Sequence, residues 1–155
     1  MHATLYFYGV SYNNPGIAAA TAVLTLSNGY GYTVAELFNQ LNQSEAEFNS
    51  LILGLEKALE LGCKTIEIYG DSHLVIKAVT RYYEVSEPSL LSYLDRVNHL
   101  LDHFEEEPEF RWVPCQEHEE NSIANTMMNE CIKLSKTSMS SSRQALVNSQ
   151  YALSA

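Results

Sequence analysis

The chain is short of cations, of cysteine and of long apolar runs, and each shortage excludes something. Nine Lys and Arg stand against 19 Asp and Glu, a formal net charge of −10. The cations (Lys57, Lys64, Lys77, Arg81, Arg96, Arg111, Lys133, Lys136, Arg143) form no cluster. Proteins that hold a polyanion by neutralising phosphates need such a cluster, so the balance counts against tight, non-specific nucleic-acid binding. The acidic runs EEEPE (105–109) and EHEEN (117–121) read as solvated surface. Three cysteines at 63, 115 and 131 give neither a disulfide framework nor a zinc pattern, and a reduced, cytoplasmic setting is expected. No run of apolar residues is long enough to span a bilayer. The opening MHATLYFYGV has no basic region ahead of an apolar one, so no signal peptide is read.

What is present suits a single core: 155 residues, 46% of them hydrophobic. Residues 3–10 (ATLYFYGV) alternate and are rich in aromatics, as a strand requires. The turn SYNNPG follows, with Pro15 fixing φ and Gly16 free to take unusual angles. Residues 18–26 and 30–37 read as two further strands around Ser27-Asn28-Gly29, a strong hairpin signal. The period then changes. From Ser44 to Gly62 apolar residues fall at 48, 51, 52, 55, 58 and 59, one face of a helix. Ser44 with Glu47 has the form of a capping box, and Gly62 is a natural stop. A short strand at 65–69, a helix at 72–80, a helix opened by Pro88 over 89–104, a strand at 109–113 and a helix at 121–134 complete the domain, 1–134. The Ser-rich remainder, 135–155, is expected to be a flexible tail, with ALVNSQYAL capable at most of a weak helical turn. The order β-β-β-α-β-α-α-β-α predicts an α/β (α+β) domain. Its mixed sheet would be a three-stranded antiparallel meander plus parallel strands, with helices on both faces.

Four motifs along this order resemble those of type 1 ribonuclease H. Tyr8-Gly9-Val10-Ser11-Tyr12-Asn13-Asn14-Pro15-Gly16 is similar to the family's first motif, with Tyr8 where the family has Asp. Asn42-Gln43-Ser44-Glu45-Ala46-Glu47-Phe48 stands where the family has Thr-Asn-Asn-x-Ala-Glu-Tyr. Gly70-Asp71-Ser72 through Ile76 is the third motif intact, and Trp112-Val113-Pro114 then Asn121 to Asn125 the fourth, with Asn125 in place of its closing Asp. The resemblance covers residues 4 to about 134 and implies a ribonuclease H-like fold.

In that family four carboxylates hold two Mg²⁺ or Mn²⁺ ions over the scissile phosphate of an RNA–DNA hybrid. Such ions require hard oxygen ligands, and two placed roughly 4 Å apart require matching negative charge. The resemblance assigns Glu47 and Asp71 to the retained catalytic and metal positions, and Tyr8 and Asn125 to the replaced ones. A phenol titrates at about 10, so Tyr8 is a poor metal ligand at neutral pH, and its ring would fill the metal cavity. Asn125 keeps an oxygen without the charge. Glu45 lies roughly 200° around the helix from Glu47, and Glu67 about 13 Å upstream of Asp71, so neither substitutes. Glu119 and Glu120, in the loop before the last helix, are the candidate replacements. His118 occupies a loop where the family often has a proton-transfer histidine, or is an exposed loop residue. Asn14, Gly16, Ser44 and Ser72 stand at hybrid-contacting positions; equally, Asn14 shapes a turn and Ser72 caps a helix. Tyr6, Phe7, Tyr8 and Tyr12 are strand tyrosines and a phenylalanine before they are a base-stacking set. The expected function is an impaired or inactive ribonuclease H-like domain that binds hybrid weakly or serves as a protein-interaction module. The alternative is a metal-dependent hybrid endonuclease with a rearranged acidic site. Asp71 itself has a second explanation, as an acidic residue at a helix start.

Overall fold

The computed structural model describes residues 1–80, 87–114 and, as backbone, 143–152. Three long strands open the chain: β1 (His2–Ser11), β2 (Gly16–Leu26) and β3 (Tyr30–Leu41). They pair antiparallel as the meander the hairpin signals predict. At the β2–β3 turn Gly29 takes φ +92°, and the Asn28 side-chain oxygen accepts from the Tyr30 amide at 3.0 Å. Helix α1 (Gln43–Glu60), β4 (Thr65–Gly70), α2 (His73–Val79), α3 (Pro88–Leu101) and β5 (Glu109–Trp112) follow, and β6 (Arg143–Ala152) ends the order. The sheet runs β5-β4-β1-β2-β3-β6, with β4 parallel to β1 and to β5.

Strand alternation divides the sheet into two faces. Ala3, Leu5 and Phe7 of β1 join Ala22, Leu24 and Leu26 of β2 and Ile66 and Ile68 of β4 beneath the helices. Phe48, Leu51 and Leu55 of α1, Val75 of α2, and Leu90, Val97 and Leu100 of α3 complete this core. Helix α1 lies close on the sheet because the residues it lays down are small. Ala46, Ser50, Gly54 and Ala58, spaced by four, are all buried, and residues four apart share one helical face. A Cβ on Gly54 would lie 2.3 Å from Leu5, and one on Gly9 2.4 Å from the Ala46 backbone.

Two expectations change, and a third falls partly outside the described residues. The N-cap of α1 is Asn42, whose oxygen accepts from the Glu45 amide at 2.8 Å while the Glu45 carboxylate accepts from the Asn42 amide at 3.0 Å. The capping box is therefore Asn42 with Glu45, and Ser44 and Glu47 sit inside the helix. The described helices, α1 to α3, pack on one face; the helix expected at 121–134 lies outside the described residues. Finally, Arg143–Ala152, expected as flexible tail, forms β6 antiparallel to β3. Without it β3 would present a row of unpaired backbone groups, and pairing satisfies them.

The seam between α1 and β1 gives a direct test. Gly9→Ala should destabilise the fold by about 3 kcal/mol, because its methyl group meets backbone and not a movable side-chain end. Gly29→Ala meets no atom within 4 Å and should cost only the left-handed backbone penalty of about 1–2 kcal/mol. Urea unfolding of both variants checks the order; equal losses would place β1 farther from α1 than described.

Candidate functional site

Two neighbouring parallel strands bring the site together. In the β1–β4 register Tyr6 faces Tyr69 and Phe7 faces Gly70, so Tyr8 and Asp71 continue side by side at the strands' carboxyl ends. Gly9, pressed against the Ala46–Glu47 backbone, brings the first turns of α1 to the same place. The backbones of three of the four positions named from the sequence, Tyr8, Glu47 and Asp71, thus lie at one end of the sheet, and the Glu47 and Asp71 carboxyls interact there. Asn125, His118, Glu119 and Glu120 lie outside the described residues.

Glu47 is only partly accessible, and its carboxyl is pushed up to about 7, by burial first and by the charge of Asp71 second. Hydrogen bonds from the Gln43 and Ser72 side chains offset part of that rise. Burial also raises Asp71, against a hydrogen bond from its own backbone. Mutual repulsion between two half-buried carboxylates is what one hard divalent cation would relieve, and Glu47 and Asp71 fit such an ion. Among the described residues no group of three or more His, Cys, Asp or Glu converges.

Tyr8 does not compensate. Gly9 and Phe7 face α1, and Tyr8 faces the opposite side of the sheet. There it packs, half-buried, against the cluster of Ala19, Ala35 and Leu37 and against that of Tyr6 and Val23. Its side chain is part of an apolar layer.

The remaining contacts show which residues are held and which are open. Gln43, at the family's Asn position, clamps the start of α1 to β1. Its amide donates to the Gly9 carbonyl at 2.8 Å and accepts from the Ser11 amide at 2.9 Å. The Asn14 side-chain oxygen accepts from the Gln43 backbone at 2.8 Å, so Asn14 ties the β1–β2 loop to α1. Ser72 is buried and is the N-cap of α2, accepting from the Val75 amide at 3.1 Å. Gly16 is buried at the start of β2, against Asn13. Ser44 lines an open polar groove of about 570 Å³ with Asn14, Pro15, Gln40, Asn42 and Glu87. Of the proposed contact positions, Asn14 and Ser44 face this groove, and Gly16 and Ser72 are enclosed. Glu45 is occupied by its cap and by Tyr93, whose hydroxyl donates to it at 3.1 Å. Glu67 accepts from Thr4 at 3.0 Å and Tyr69 at 3.1 Å. Beside Asp71, the Trp112 indole N–H donates to the Asp71 carbonyl at 3.0 Å, and the Val113 amide to the Gly70 carbonyl at 2.8 Å.

Comparison with known proteins agrees with this geometry. The profile of the reverse transcriptase-like family matches residues 7–131. A ribonuclease HI of Halobacterium salinarum is 38% identical over 104 residues, covering 65% of this chain and 51% of that protein. A bifunctional protein of Mycobacterium tuberculosis is 28% identical over 127 residues, 80% of this chain and 34% of its own. The chain thus spans about half or less of these curated relatives. The crystal structure of ribonuclease H1 from Halobacterium salinarum superposes with a TM-score of 0.77 at 30% identity, covering 86% of this chain and 98% of that one. The LC11 ribonuclease H1, solved in complex with an RNA/DNA hybrid, shares the fold with a TM-score of 0.77 at 24% identity, over 86% and 99% of the two chains.

The raised Glu47 carboxyl gives a prediction with a definite sign. A carboxyl with a folded pKa above its unfolded value favours the fold fully below about pH 4.5, and that contribution is lost as pH rises through about 7. The whole interval is worth on the order of 3 kcal/mol. Glu47→Gln removes the charged state, so it should stabilise the fold by about 1–3 kcal/mol at pH 8 and by much less at pH 5. Urea melts at both pH values check it; a pH-independent difference would refute the burial argument.

Proposed function

Because the chain belongs to the reverse transcriptase-like family and has a type 1 ribonuclease H domain, we propose that it is a catalytically impaired ribonuclease H. In this reading it is retained to bind RNA–DNA hybrid or related nucleic acid weakly. The observation that carries the proposal is Tyr8. It stands beside Asp71 at the head of the sheet, where the family places a carboxylate, and its ring is committed to an apolar layer. With Glu47 and Asp71 alone, one Mg²⁺ or Mn²⁺ ion can be held, and two-metal hydrolysis lacks its charge. The groove at Asn14 and Ser44 supplies polar contacts, while the net charge of −10 keeps phosphate-driven affinity low. The same acidic surface suits a basic protein partner, and three cysteines with neither disulfide nor zinc spacing suit the cytoplasm.

Cleavage of a labelled RNA–DNA hybrid in Mg²⁺ and in Mn²⁺ tests this reading. The native chain should be silent, and Tyr8→Asp with Asn125→Asp should restore cutting by at least about a thousandfold. Restoring two ligands of a metal pair supplies several kcal/mol of transition-state stabilisation. Asp71→Asn should abolish the gain. If the native chain already cuts and Asp71→Asn stops it, the protein is instead an active hybrid endonuclease with a rearranged acidic site, Glu119 or Glu120 being the first replacements to mutate.

A further inference from the structure

At the Asp71 end of the sheet two exposed rings lie face to face. The His73 imidazole and the Trp112 indole stack with centroids 4.3 Å apart and planes 13° from parallel. Trp112 is 42% exposed, on the edge strand β5, and His73 is exposed at the first residue of α2. Here the indole N–H is fixed to the Asp71 carbonyl at 3.0 Å, and β5 is pinned by the Val113–Gly70 hydrogen bond of 2.8 Å. The rings are therefore fixed, still exposed, beside the Asp71 backbone.

We propose that the Trp112–His73 stack is a platform for an unpaired nucleobase of a nucleic acid bound at the Asp71 end of the sheet. The inference deepens the nucleic-acid reading above and rests on it. Stacking is the recognition chemistry that this chain can supply. A π-face accepts any base and needs no phosphate neutralisation, so it works on a protein with 9 cations against 19 anions. The neighbouring Arg111 is a cation beside the stack, and the Glu109 carboxylate 3.5 Å away offsets part of its charge. The ring pair is also pre-organised: the imidazole supports one side of the indole, and the hydrogen bond to Asp71 fixes its tilt. Little ordering entropy then remains to be lost when a base stacks.

Trp112 is the only tryptophan in the chain, so the emission of the native protein reports on the platform directly. The probes are a blunt RNA–DNA hybrid, the same hybrid with a short single-stranded extension, and a short oligouridylate. We expect saturable quenching by the extended hybrid and the oligouridylate, less by the blunt hybrid, and little loss on raising salt. In anisotropy measurements with labelled probes, Trp112→Leu should weaken binding of the extended hybrid about tenfold, as expected for one lost base stack. Trp112→Phe should recover most of it, and His73→Ala should lose about threefold, on the same scale. His73→Ala leaves β5 and the Asp71 hydrogen bond in place, so it tests the platform even if Trp112→Leu disturbs the fold. If the hybrids bind while the emission stays unchanged and both variants bind like the native chain, the platform is overturned and the nucleic-acid reading survives. If no probe binds to the native chain, both fail.

Discussion

The approach of β1 to α1 at Gly9 is the contact on which the rest of the site depends. Strand and helix can come this near only because Gly9 has no side chain and α1 turns Ala46, Ser50, Gly54 and Ala58 toward the sheet. Larger residues would lift the helix, and close packing leaves no slack to absorb the shift. Seating α1 there fixes where Glu47 stands relative to the ends of β1 and β4. The Gln43 amide then fastens the helix start to Gly9 and Ser11, and through Asn14 to the loop between β1 and β2. The candidate site is thus a consequence of packing small residues at one crossing.

That crossing also sets the electrostatic cost. Glu47 and Asp71 are both partly buried and repel each other, which is why the Glu47 carboxyl is pushed up to about 7. A carboxylate at position 8 would add a third negative charge to a region that already disfavours two. With cations bound, such a cluster is neutralised; without them, it costs stability. Tyr8 replaces that charge with a ring packed against Ala19, Ala35 and Leu37. A ring at this position adds packing to the sheet's second face in place of a charge at the site.

Much of this was legible in the sequence, and the failures have definite causes. The meander, the one-faced helix and the strand–helix alternation follow from periods that tertiary contacts did not override. The capping box did not resolve, because Asn42-x-x-Glu45 and Ser44-x-x-Glu47 both satisfy the same rule two residues apart. A contact distant in sequence, from Asn14 to the Gln43 backbone, accompanies the earlier start. The tail was misjudged for a different reason. Its composition is polar, but the need for it lies in the open edge of β3, which exists only once the sheet order is known. The small-residue seam was visible as a spacing of four, yet apolar periodicity gives weight to large residues, and the seam consists of the small ones.

Asp71 is where the two explanations of one residue separate. From the sequence, an acidic residue at a strand-to-helix junction is accounted for equally by metal binding and by helix capping. The structure gives the cap to Ser72, whose hydroxyl accepts from the Val75 amide at 3.1 Å and also hydrogen-bonds to Glu47. Capping therefore does not require the carboxylate one residue earlier. Asp71 instead keeps its charge half-buried near Glu47, at a cost that the fold would avoid with Asn in its place. Burial without a capping return leaves a ligand-binding role as the explanation that matches the geometry. Two half-buried carboxylates that raise each other's cost form the kind of cluster that a hard divalent cation would relieve.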